Sequence, residues 1–128
     1  MTPFGSKVRE LRARQGLSLK KMAEDLGVTS AYFSALEHGH RGQPGSGLIQ
    51  QICGYFDLPW EEAEELERLA ALSHPRVVVD TSGLSPSATE LANLLAQAIG
   101  DMDEDTIEWV MAEIRGRNGA KDRGGPTH

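Results

Sequence analysis

The stretch "LRARQGLSLKKMAEDLGVTSAYFSALEHG" (residues 11–39) decides the fold, because its punctuation and its apolar spacing agree. Gly16 and Gly27 stand where a helix must turn out of the right-handed region, and Ser18 and Thr29 come next as hydroxyl side chains suited to cap the next helix. Between these marks, Met22, Ala23 and Leu26 fall on one helical face, and Phe33 and Leu36 on another. Gly27 supplies a left-handed residue without a β-carbon clash. Ala23 is small at the point where two helices would cross closely. The stretch therefore reads as two short helices joined by a glycine-containing turn, a helix-turn-helix arrangement.

Working outward, "FGSKVRELRARQG" sets Val8, Leu11 and Ala13 among basic residues at helical spacing and ends at Gly16, giving a first helix. After the third helix, "GHRGQPGSG" is a loop, rich in glycine and barred from helix by Pro44. "LIQQICGYF" then repeats apolar positions at Leu48, Ile49, Ile52, Cys53 and Phe56, a fourth helix. Pro59 opens a fifth, "PWEEAEELERLAAL", with Glu61 and Glu62 in the first turn where the helix dipole favours them. Its expected inward side is Trp60, Ala63, Leu66, Leu69 and Ala70, and its five glutamates read as a solvated face rather than a metal or catalytic cluster. His74-Pro75 stops this helix, and Val77 to Val79 reads as a linker or a short strand. Ser85 and Pro86 start a sixth helix with Leu91, Leu94, Leu95, Ala98 and Ile99 on one side. Asp103 caps a seventh with Ile107, Val110, Met111 and Ile114 at matching spacing. From Arg115 onward no apolar spacing is left, and disorder is expected.

The composition agrees with an all-α chain: hydrophobic residues make up 39% of it but aromatics only 5%, so aliphatic side chains and alanine must fill the core. No apolar run is long enough to span a bilayer, and the expectation is a cytoplasmic protein with no membrane partner. The lone Cys53 reads as a small buried hydrophobe. His38 and His40 form a surface pair with no third ligand nearby, so no metal and no cofactor is expected. No nucleophile turn, phosphate-binding loop or His-Glu metal motif suggests an enzyme. Charge is uneven beneath the net value of -6: residues 1–48 hold seven bases against four acids, residues 49–113 two against fourteen, and the tail from Ile114 four against one. A basic head that can meet phosphate beside an acidic body that must avoid it is the reading of that asymmetry.

The quoted stretch resembles the helix-turn-helix of the XRE family, the group that contains the lambda and 434 phage repressors and Cro, and the likeness extends over residues 4 to about 70. The resemblance implies a five-helix lambda-repressor-like domain that binds double-stranded DNA, as a homodimer regulating transcription and as a nucleoid-associated protein. It implies that the third helix enters the major groove with Ser30, Ala31, Ser34 and Ala35 at base-reading positions and Tyr32 beside them. That set holds no Arg, Asn or Gln for bidentate base contacts, so thymine methyls, water and DNA deformability would carry more of the discrimination. His38, His40, Arg41 and Gln43 fall where the family meets phosphates, Ser46 would help the fourth helix offer its amide end, and Thr29, Lys20 and Lys21 complete the expected phosphate contacts, the two lysines compensating for position 19. Leu19 departs from the pattern, since the family commonly places glutamine there to grip a phosphate. Arg12 matches the family position that pairs with the glutamate found here as Glu37, a structural role set against direct DNA contact. Lys7, Arg9 and Arg14 could be no more than a solvated face.

The chain thus divides into a DNA-binding domain over 1–73, a linker over 74–85, a helical hairpin over 86–114 and a basic tail over 115–128. The hairpin's stripes exceed what two helices hide from water between themselves. Leu91, Leu95, Ile99, Ile107, Val110, Met111 and Ile114 are therefore expected to pack against a second copy, the alternative being the chain's own fourth and fifth helices. The tail either adds nonspecific phosphate affinity or has no role. The function expected is a repressor on an inverted-repeat operator. The alternative is an antitoxin-like module whose acidic C-terminal half holds another protein and whose head autoregulates its operon.

Overall fold

In a computed structural model, the backbone of residues 1–122 and the side chains of residues 1–117 are described. Five helices build the N-terminal unit: α1 (Pro3–Gln15), α2 (Leu19–Leu26), α3 (Ser30–Glu37), α4 (Ser46–Tyr55) and α5 (Trp60–Ala71). The C-terminal part holds α6 (Pro86–Ala98), a 3-10 turn at Ile99–Asp101 and α7 (Glu104–Asp122), with no strand among the described residues. The chain divides into two compact units after Val78.

Capping fixes where the first three helices begin. The Thr2, Ser18 and Thr29 hydroxyls accept from the backbone N–H groups of Gly5, Lys21 and Tyr32, each satisfying a donor that the helix leaves open. At the other ends, Gly16 and Gly27 adopt left-handed φ of 64° and 77°. The Leu17 and Val28 N–H groups then reach back to the Arg12 and Ala23 carbonyls at 3.0 Å.

Phe4, Val8 and Leu11 of α1 meet Met22 and Ala23 of α2, Phe33 of α3, Ile49 and Ile52 of α4 and Leu66 and Ala70 of α5 in one core. The 6.4 Å tilted pair of Phe4 and Phe33 ties α1 directly to α3. Backbone contact there is closer still. A β-carbon at Gly5 would lie 2.2 Å from the Glu37 carbonyl oxygen, so only glycine lets α1 sit against the end of α3. Trp60, expected inward, is 73% exposed. It is the first residue of α5, ahead of the turn in which Leu66 and Ala70 reach the core.

The C-terminal unit departs further from expectation. α6 has no buried residue, and α6 and α7 come close at very few points along the described residues. Leu91, Leu94, Ile99 and Ile114 are each more than half exposed. Val77 to Val79 are exposed and form no strand. α7 continues to Asp122, past Ile114, where the apolar spacing alone would end it. An Arg117–Glu113 pair at 3.5 Å and helical spacing supports that extension. The part of the tail over 123–128 lies outside the described residues.

Candidate nucleic-acid interface

α3 buries one side and shows the other. Phe33, Leu36 and Glu37 are buried, Ser30, Ala31 and Tyr32 are exposed, and Ser34 and Ala35 are half-buried. The face that carries the sequence-predicted base readers is thus formed by small side chains and one phenol, and the backbone beneath them is open to close approach.

Arg41 lies at the edge of this face. Its guanidinium is 5.6 Å from the centre of the Tyr32 ring, a cation over a π-face that holds a positive charge beside the exposed end of α3. The His38 and His40 rings stack at 6.4 Å. His38 Nδ1 lies 2.9 Å from the Ser34 carbonyl oxygen, so His38 also closes the end of the helix. Arg41, His38 and His40 are not buried. The Gln43 amide, by contrast, donates at 3.5 Å to the Ala70 carbonyl, turned toward α5.

α2 contributes its N-terminal turn. Lys20 and Lys21 are exposed, but the Lys21 ammonium sits 3.1 Å from the Asp25 carboxylate. Asp25 also accepts a 2.6 Å bond from the Tyr55 hydroxyl, and these partners hold its carboxyl below the usual range, the Tyr55 bond most of all. Leu19 is half-buried against the core, so the residue that breaks the family's phosphate-gripping pattern serves packing. The Thr29 hydroxyl is occupied in capping α3. α4 starts at Ser46 with no side chain capping its first amides.

Other cations of the head are used internally. The Arg12 guanidinium meets the Glu37 carboxylate at 3.0 and 3.2 Å, joining α1 to the end of α3. Glu37 is 2% exposed, and burial raises its carboxyl pKa against the opposing pull of Arg12. Lys7 is buried and lies 3.2 Å from Glu62, 3.4 Å from Glu65 and 3.5 Å from Glu10. Arg14 bonds Glu62 at 2.9 Å and Glu10 at 3.1 Å, and that contact, with Lys7 second, lowers the Glu62 carboxyl pKa.

Sequence reasoning missed this network by treating both helix faces as solvated. Its trace was visible: Lys7, Glu10 and Arg14 lie on one file of α1, and Glu62 and Glu65 on one file of α5. The consequence is that the head is not basic overall, since nine bases face ten acids over residues 1–78. Lys20 and Arg41, which precede and follow α3 in the chain, are exposed cations near it in sequence. Among the described residues no cluster of side chains could hold a metal, and no helix is long and apolar enough to cross a membrane.

Two short helices crossing over a buried alanine, with a left-handed glycine between them and an exposed second helix, define a helix-turn-helix domain. The helix-turn-helix domain family model matches residues 3–66, half of the chain, and the chain belongs to that family. It is 36% identical over 61 residues to the uncharacterized HTH-type transcriptional regulator RghRB of Bacillus subtilis (strain 168), covering 48% of this chain and 44% of that protein. It is 33% identical over 61 residues to the HTH-type transcriptional repressor RghR of the same organism, covering 48% of this chain and 45% of that one. With the uncharacterized HTH-type transcriptional regulator YgzD, also from that organism, identity is 40% over 62 residues, 48% of this chain and 92% of that protein. The match thus spans less than half the length of the first two relatives. No solved structure matches the chain at a comparable level.

Proposed function

We propose that the protein is a sequence-specific, duplex-DNA-binding transcriptional regulator that acts as a repressor by occupying an inverted-repeat operator as a homodimer in the cytoplasm. The observation that carries this reading is the exposed face of α3, with small side chains along it and Arg41 held at its edge by Tyr32. Such a helix fits the major groove, where the Ser30 and Ser34 hydroxyls, the Tyr32 phenol and the Ala31 and Ala35 methyls meet base edges. Lys20, Arg41, His38 and His40 meet phosphates, assisted by Lys21, Ser46 and the backbone amides at the starts of α2 and α4. Thr29 and Gln43 are the weaker members of that set, since each already has a protein partner.

The repressor assignment is supported by the similarity to RghR, a transcriptional repressor. The dimer is supported by the exposed apolar stripes of α6 and α7, and reading two half-sites on one face of the duplex would require the two α3 helices to lie about one DNA turn, roughly 34 Å, apart. Selection of duplexes by the full chain from a random library tests the proposal. An enriched inverted repeat with half-sites about 10 base pairs apart supports it, and an unenriched pool refutes it. The same stripes would suit an unlike protein in an antitoxin-like module, and stoichiometric co-purification of such a protein favours that reading instead.

A further inference from the structure

The α6–α7 unit presents its apolar residues without covering them. Leu91, Leu94 and Ile99 are 65%, 54% and 54% exposed, and Met111 and Ile114 are 39% and 55% exposed. Two helices that fail to bury their own stripes need an occupant, and the charges bordering the α7 stripe say which.

We propose that the occupant is a second copy of this chain, seated so that the two α7 helices run antiparallel with Ile107 opposite the partner's Ile114 and Val110 opposite the partner's Met111. The inference rests on the homodimer reading above and gives it a register. At about 100° per residue, Ile107, Val110, Met111 and Ile114 form one stripe. Glu104, Glu108 and Arg115 lie along one border of it. In an antiparallel pair each border faces the same border of the twin. The register that superimposes the stripe on itself sets Arg115 level with position 106 of the other helix. At 1.5 Å rise per residue, the twin's Glu104 and Glu108 then lie about 3 Å above and below it along the axis. Arg115 has no ionic partner within its own chain among the described residues, and the self-association supplies two, once at each end of the seam. An unlike partner of arbitrary charge gains nothing from this arrangement.

The apolar area, at its upper end, approaches what a homodimer interface uses. A buried aliphatic side chain removes roughly 60 to 120 Å2 from water, so the eight half-exposed apolar residues Leu91, Leu94, Leu95, Ile99, Ile107, Val110, Met111 and Ile114 supply on the order of 250 to 500 Å2 per chain. A standard interface of about 800 Å2 per partner is about 65% apolar in homodimers. Two α6 stripes and two α7 stripes together form the core of a four-helix bundle.

The test uses two full-length variants, Arg115→Glu and the double change Glu104→Lys with Glu108→Lys. Each places like charges across both ends of the seam, and each is expected to self-associate at least tenfold more weakly than the wild type by sedimentation velocity, with helicity by circular dichroism retained. Mixed in equal amounts, they are expected to form a heterodimer well above the statistical half, read by native mass spectrometry. Arg115→Lys is expected to keep wild-type association. A statistical mixture, or variants that associate like the wild type, overturns the register while leaving the homodimer standing. A wild-type chain that stays monomeric, or that dimerises only with an unlike protein, overturns the homodimer as well and leaves the DNA-binding head untouched, since duplex selection reads that separately.

Discussion

Gly5→Ala offers the sharpest stability test, because general helix chemistry and this structure give opposite signs. Alanine in a helix is favoured over glycine by about 1 kcal/mol. Here the new β-carbon would sit 2.2 Å from the Glu37 carbonyl oxygen, 2.7 Å from its Cα and 2.8 Å from its carbonyl carbon. All three are backbone atoms at the end of α3 and cannot swing aside, so α1 must retreat by more than about 1 Å to reach ordinary contact distance near 3.5 Å. Retreat stretches two bonds to that same carbonyl, from the Thr2 amide at 2.9 Å and the Thr2 hydroxyl at 3.1 Å. Each such bond contributes about 1 kcal/mol, and overpacking adds about 1–3 kcal/mol. Against the propensity gain, the net loss is about 2–4 kcal/mol. At roughly 4–8 °C per kcal/mol for a unit of this size, the melting temperature falls by at least about 8 °C. The assay is thermal unfolding of the full chain by circular dichroism, with Gly54→Ala as control. Gly54 lies in α4 with nothing within 4 Å of a β-carbon, and its replacement should raise stability by up to about 1 kcal/mol. A Gly5→Ala protein that melts within about 4 °C of wild type would refute the close approach of α1 to the end of α3.

Two carboxylates make opposite pH predictions. Burial raises the folded pKa of Glu37, so its contribution to stability is largest below the ordinary carboxyl pKa and is lost as pH rises through the raised value; Glu37→Gln should remove that component from the pH profile of the melting temperature. Arg14 and Lys7 lower the folded pKa of Glu62, so the destabilisation by Glu62→Gln should be present at neutral pH and fade as acid protonates the wild-type group. On DNA, Arg41→Ala should weaken binding to all duplexes and reduce the slope of log affinity against log salt by about one. Tyr32→Ala should do the same in part, because it also releases Arg41 from its place 5.6 Å from the ring.

Glycines, caps and apolar spacing made the head legible. Gly16 and Gly27 require left-handed backbone, while Ser18 and Thr29 cap α2 and α3; all four are local features that a short window of sequence contains. The part that escaped was nonlocal. The Lys7 and Arg14 pairs with Glu62 depend on α5 returning beside α1, which no short window contains. For the same reason a charge count that stopped at residue 48 overstated the basic character of the head. Trp60 looked like a core residue because its type is apolar, whereas its place at the start of α5 sets it outside. The candidate interface was legible as a segment, residues 29–46, but not in detail. Nothing in composition showed that Tyr32 would hold Arg41 or that Gln43 would turn toward Ala70.

The most direct measurement is the ratio of affinities for a selected duplex and a scrambled one of equal length, by fluorescence anisotropy at physiological salt, for the wild type and for Ser30→Ala with Tyr32→Ala. If α3 reads bases, the wild-type ratio is about a thousand or more and the double variant loses about 1–3 kcal/mol of it with its melting curve unchanged. A wild-type ratio near one, or a variant that discriminates as well as the wild type, would show that sequence is not read by this helix.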